Sequence, residues 1–135
     1  EFMAIVVSLE HLAEVNDNTK AKILADTLDT AIESLLKNGK SPMRKVRQLD
    51  NRGSHFYLAM YWANELASQT EDTTLKATFE KVRADIKAQE NDIVSELNNA
   101  QGSAQDVKGY YLPDTETAFA AMRPSATLNA IIDNI

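Results

Sequence analysis

"SHFYLAMYWANELASQ", residues 54–69, is apolar or aromatic at every position from Phe56 to Ala63, and again at Leu66 and Ala67. It shows neither the strict alternation of a half-exposed strand nor a single polar face. A helix that is hydrophobic on every side is one that other elements surround. Residues 54–69 are therefore expected as a buried aromatic helix at the centre of an all-α fold.

The neighbouring segments supply what would surround it. From 19 to 38 the pairs Ile23/Leu24, Ala31/Ile32 and Leu35/Leu36, with Leu28 between, recur every four residues and form one stripe of an amphipathic helix. Asn18 suits its N-cap and Gly39 its C-terminal left-handed position. Downstream, Thr70 or Asp72 can cap a long amphipathic helix over 71–98. Its seam is Leu75, Phe79, Val82, Ile86, Ile93 and Leu97, with Glu90 at the one skipped position. As a continuous rod this would run roughly 40 Å, with an end free to project or meet a partner. Ile5, Leu9, Leu12 and Val15 mark a short helix over 4–15, and Pro124 suits the first turn of a last one over 124–133. "GYYLPD", residues 109–114, reads as an aromatic turn. No segment sustains period-two alternation, so the class is all-α, with four to five helices. Glu1-Phe2 ahead of Met3 reads as a cloning remnant. The division is then 1–3 as remnant and 4–135 as a single helical region.

Composition narrows the function. Fourteen basic against 20 acidic residues leave a net charge of −6 in a chain of 135. Such a field repels phosphate backbones, so neither nucleic acid nor an anionic membrane is expected as a partner. No apolar run approaches the ~20 residues a spanning helix needs, and Met3–Val7, with no basic leader, does not read as a signal peptide. The absence of cysteine removes disulfides, thiolate metal sites and cysteine nucleophiles together, and fits a reducing cytoplasm. The histidines, His11 and His55, are far apart in sequence. His11 reads as a surface residue and His55 as one bonding a neighbouring carbonyl. Asp26, Asp29, Glu33, Asp85 and Glu96 read as a solvated face. There is no phosphate-binding glycine loop. These patterns contain no catalytic residues and no metal ligands.

One feature runs against the overall charge. Just ahead of the apolar helix, the loop 41–52 carries Arg44, Lys45, Arg47 and Arg52. Loops mounted on rigid elements concentrate binding residues, and a guanidinium fork matches phosphate geometry. The plainer alternative is that these cations only offset the acidic helix faces.

The residues go further. "SPMRKVRQLDNRGSHFYLAMYWANELASQTED" (41–72), "IVSELNNAQGSAQDVKGYYLPD" (93–114), "AMRPSATLNAII" (121–132) and "AKILADTLDTA" (21–31) together resemble the C-terminal part of the monomeric NADP-dependent isocitrate dehydrogenases. That family is several times longer, so the resemblance implies a C-terminal fragment, part of the parent's smaller domain. It implies oxidative decarboxylation of isocitrate to 2-oxoglutarate in the parent, with NADP as cofactor and Mg²⁺ or Mn²⁺ as metal. The metal carboxylates and the catalytic Lys and Tyr are implied to lie in upstream regions. In the family's "SP-x-R-K-V" motif an arginine contacts the NADP 2′-phosphate. By that motif it is Arg44, with Lys45 as a further cofactor-binding candidate. The family has a small residue where this chain has Arg47, so the resemblance gives Arg47 no role, and it assigns none to Asp50, Asn51 or Arg52. The fragment by itself is expected to be inactive. The alternative is a helical interaction module with no ligand of its own, self-associating through exposed apolar surface, by domain swapping or simple oligomerisation.

Overall fold

The computed structural model describes residues 2–135; Glu1, read above with Phe2 and Met3 as a remnant, lies outside the described residues. Helices are the only regular elements among those residues: α1 (Phe2–Asn16), α2 (Thr19–Lys37), α3 (Asn51–Ser68), α4 (Thr73–Ala88), α5 (Glu90–Asn99), α6 (Thr115–Met122) and α7 (Ala126–Ile132). None is long and apolar enough to cross a membrane.

The run at 54–69 is α3, and it is central. α2 packs on one side of it and α4 on another, with α1 laid on α2. Phe56, Ala63, Leu66 and Ala67 are almost wholly withdrawn from water, and Phe56 and Ala63 share one continuous core with Leu28, Ala31 and Leu35 of α2 and Val82 and Ile86 of α4. A polar pair fixes the two central helices. Trp62 Nε1 donates to Thr27 Oγ at 3.0 Å, and that hydroxyl donates onward to Ile23 O at 2.6 Å. A mid-helix threonine is tolerated here because its hydroxyl closes on the preceding turn.

The ends of the helices follow local chemistry. Asn18 accepts from Ala21 N, Asp50 from Gly53 N, Asp72 from Leu75 N and Ser125 from Leu128 N, each side chain satisfying a donor the first turn leaves unpaired. Gly39, at φ 63°, ends α2. The bonds Lys40 N to Leu35 O and Gly39 N to Leu36 O make this a Schellman motif, which needs the left-handed conformation glycine adopts at least cost. Pro124 falls just outside α7, whose cap is Ser125.

Three expectations are corrected. The helix over 71–98 is not continuous. It breaks at Gln89, whose φ of −114° and ψ of 12° leave the helical region. The break sits at the skipped seam position. Glu90, which could not enter an apolar seam, instead accepts from the buried Tyr57 hydroxyl at 3.0 Å, and Ile93 and Leu97 are carried into the core. No long projecting rod remains. Burial and the Glu90 hydrogen bond hold the Tyr57 phenol up to about 12.

The second correction concerns α1 and α2. α1 turns Phe2, Val6 and Leu9 inward, a stripe with i, i+4, i+7 spacing. Ile5, Leu12 and Val15, expected to define its apolar face, are exposed, as are Met3 and Val7. Leu36 of α2 is likewise exposed. The third correction is Glu96. It is not part of a solvated face but the anchor of α7: Ser125 Oγ donates to it at 2.6 Å, Thr127 Oγ1 at 2.7 Å and Thr127 N at 3.2 Å.

Those bonds hold the Glu96 carboxyl below its ordinary range, the Ser125 hydroxyl contributing most and the Thr127 hydroxyl next. Only the ionised form accepts all three. A carboxylate with a depressed folded-state pKa contributes fully above its ordinary value of 4.5, and the contribution vanishes as pH falls through the depressed value. Glu96→Ala should cost about 2–3 kcal/mol at neutral pH, since hydrogen bonds to a charge are worth about 1.5–3 kcal/mol each and are not additive. The gap between wild type and variant in urea denaturation should narrow steadily below about pH 4.5. A gap independent of pH would show that the carboxylate is not the group that matters.

α6, which follows the expected aromatic turn at 109–114, is an element the patterns do not mark. Asp114 caps it by accepting from Thr117 N at 2.9 Å, yet the helix buries no residue. Before it, Tyr110, Tyr111 and Leu112 stand almost fully exposed.

Candidate functional site

The segment between α2 and α3 is a closed loop. The Schellman turn at Gly39 sets its departure from α2. Met43 N donates to Leu49 O at 2.6 Å and seals its base, and Gln48 N donates to Lys45 O at 3.2 Å across its tip. Everything from Pro42 to Gln48 is exposed. Leu49 then tucks against the core, and Asp50 starts α3. Gly53 lets the Leu49 side chain lie close to the start of α3, since a Cβ at that position would stand 2.5 Å from its Cδ1 and push it aside.

The four cations of 41–52 separate into two kinds. Arg52 is structural. Its guanidinium grips Asp50 Oδ2 through Nε at 2.8 Å and NH2 at 2.7 Å, and NH1 donates to Ala121 O at 2.9 Å. Asp50 meanwhile caps α3, so one carboxylate joins the loop end, the helix start and the α6 segment. Arg44, Lys45 and Arg47 are exposed, and none forms an ion pair among the described residues. The Arg44 guanidinium is therefore not spent on a neighbouring carboxylate. Two of the three acids of α2 are engaged elsewhere: Asp26 with Lys22 at 2.6 Å and Glu33 with Lys37 at 3.0 Å.

Arg47 holds a left-handed conformation, φ 64°, which is unfavourable by about 1–2 kcal/mol for a residue with a Cβ. Only glycine, which lacks a Cβ, would remove that cost.

A residue not singled out from the sequence completes the loop. Gln101, just beyond α5, accepts from Arg47 N at 2.6 Å through Oε1 and donates to Gln48 O at 2.8 Å through Nε2. No local pattern marks it, since the two partners are more than fifty positions away in the chain.

The remaining candidates are quieter. His55 Nδ1 lies against Asn51 O, a bond within its own helix, and the ring meets Phe2 edge-on at 4.9 Å. His11 is exposed. No group of three His, Asp or Glu is arranged to hold a metal among the described residues. Chemically, the loop presents exposed cationic side chains of the kind that pair with an anion.

Comparison with known proteins agrees over nearly the full length. Residues 1–133 match the family described as monomeric isocitrate dehydrogenase. The chain is 58% identical over 132 residues to isocitrate dehydrogenase [NADP] 2 of Colwellia maris, covering 98% of this chain and 18% of that protein. It is 55% identical over 135 residues to isocitrate dehydrogenase [NADP] 2 of a Psychrobacter species, covering 100% of this chain and 18% of the relative. The isocitrate dehydrogenase [NADP] of Azotobacter vinelandii is 52% identical over 132 residues, with coverage of 98% and 18%. The chain thus spans less than a fifth of the length of each relative.

Proposed function

The chain belongs to the monomeric isocitrate dehydrogenase family, and on that premise we propose that it is a cofactor-contacting segment of an NADP-dependent isocitrate dehydrogenase, with Arg44 and Lys45 meeting the NADP 2′-phosphate. The parent reaction is the oxidative decarboxylation of isocitrate to 2-oxoglutarate. NADP, when bound, supplies the hydride acceptor. This chain's residues supply charge and position.

One observation carries the reading. In a chain of net charge −6, Arg44 and Lys45 stand exposed and unpaired at the tip of a loop closed at its base. A phosphate monoester near neutral pH carries between one and two negative charges, and an arginine fork bonds two of its oxygens at once. The same contact would discriminate against NAD, which offers that loop no anion.

The chain assayed alone with isocitrate, Mn²⁺ and NADP should form no NADPH, because turnover needs metal, base and substrate held together. Appreciable turnover would overturn its reading as a contributing segment. A second reading has one observation in its favour: α1 leaves Met3, Ile5, Val7, Leu12 and Val15 exposed to solvent. A second copy covering them would make the isolated chain self-associate, and light scattering on the same preparation decides it, since a monomeric mass rejects it.

A further inference from the structure

We infer that Gln101 is a positioning residue for cofactor selection: its side-chain amide holds the cation loop in the shape that presents Arg44. The inference rests on the phosphate reading of Arg44 given above.

Gln101 treats the loop as a strand would treat its partner. One carboxamide accepts from the N–H of Arg47 and donates to the C=O of Gln48, at 2.6 and 2.8 Å. A peptide-like pair of bonds on adjacent residues fixes both the distance and the rotation of the loop tip. The amide itself is oriented, because Nε2 also donates to Asn98 Oδ1 at 3.3 Å. Its mount is firm: Gln101 N bonds Asn98 O at the end of α5, whose Ile93 and Leu97 are in the core.

Nothing else does this work. Among the described residues, no other side chain from outside the loop bonds the backbone of 42–48. The loop's own closures, Met43 to Leu49 and Lys45 to Gln48, seal the base and the turn but do not tie the tip to the helices. The residue Gln101 grips is also the one with an unfavourable φ of 64°. Without the bond to its N–H, the left-handed state at Arg47 loses its support, and the chain on either side, Arg44 and Lys45 included, is free to relax. Gly102 reinforces the arrangement. At φ 85° its Cα lies so near the loop that an added Cβ would come within 3.1 Å of Val46. No other side chain substitutes: glutamate cannot donate to Gln48 O, and asparagine is one methylene short.

The test uses the full-length enzyme in four forms: wild type, Gln101→Ala, Arg44→Ala and the double variant. For each, KM and kcat are measured with NADP and with NAD. Gln101→Ala should raise the KM for NADP roughly three- to tenfold, the scale of one net hydrogen bond of about 0.5–1.5 kcal/mol, because the loop keeps its own closures, with a much smaller change in kcat. The KM for NAD should hold, and the double variant should be only slightly worse than Arg44→Ala, because only the weaker contact of Lys45 is then left to position. If Arg44→Ala impairs NADP and Gln101→Ala does not, the positioning role is wrong while the phosphate reading stands. If Gln101→Ala weakens both cofactors equally, its role is structural and the inference fails. If neither variant moves the KM for NADP, both readings fail. If Gln101→Ala selectively impairs NADP while Arg44→Ala is silent, the clasp positions a different cation, and the assignment of Arg44 is what falls.

Discussion

Arg44→Ala in the complete enzyme should raise the KM for NADP by at least about tenfold and leave that for NAD in place. Losing a charge-assisted hydrogen bond costs about 1.5–3 kcal/mol, and each 1.4 kcal/mol is tenfold in affinity. The argument for Arg44 over its neighbours is geometric. Arg52 is already saturated by Asp50 and Ala121 O. Arg47 is oriented by its backbone, which Gln101 holds in the left-handed state. Arg44 has no acid to leave and lies on the open face of the loop. Lys45, a point charge without the planar fork, should give a smaller rise. Because the contact is between exposed charges, the NADP preference of the wild type should also shrink as salt is raised. An Arg44 variant whose two cofactors suffer equally would mean that the loop shapes the site without reading the phosphate.

Phe56→Ala should be the most destabilising single change among those considered, by about 3–5 kcal/mol. Phe56 is 1% exposed and belongs to the continuous core, its ring 5.2 Å from that of Tyr57. Truncation removes the transfer free energy of the ring and leaves a cavity that close-packed neighbours cannot fill. Set against a typical domain stability of about 5–15 kcal/mol, this is a large share. Urea denaturation should show a lower midpoint with an unchanged slope. Tyr111, 95% exposed, is the contrast: Tyr111→Ala should shift the midpoint by no more than about 0.5 kcal/mol. Similar losses at the two positions would contradict the central placement of α3.

The two effects are linked. The cation loop is the direct continuation of α3 toward its N-terminus, tied through Asp50, Gly53 and Leu49. A weakened core beneath it should degrade binding at the loop as well as stability, whereas Arg44→Ala should leave stability untouched. Measuring both quantities on both variants separates a contact from its support.

Sequence patterns located most of this fold because its signals are short in range. α3 was legible from an apolar run with no polar face, α2 from its four-residue period. The caps at Asn18 and Asp72 and the Gly39 terminus were legible from side chains that satisfy backbone groups within three residues of themselves. The break at Gln89 was visible in outline as a skipped seam position. Nothing local marks it, because Gln89 is neither glycine nor proline, and the bond that Glu90 makes at the break comes from Tyr57, 33 positions away. α6 was missed because it buries nothing, so no apolar period announces it. On α1 the apolar residues lie on more than one side, and only docking on α2 selected Phe2, Val6 and Leu9 as the inner face.

The candidate site divides the same way. That a cation cluster precedes the apolar helix is a property of order along the chain, fully present in residues 41–52. Which cations are free is not, because Arg52 and Arg44 are chemically alike until Asp50 and the Ala121 carbonyl are brought against one of them. Glu96 became an anchor, and Gln101 a clasp, only when segments some thirty and fifty residues distant closed on them. Local order along the chain therefore set helix identity, caps and the presence of a basic loop, since those depend on neighbours within about one turn. Packing decided which side chains are spent and which remain available, because a hydrogen bond across a folded chain requires two groups to meet within about 3 Å, and sequence separation places no limit on which groups those are.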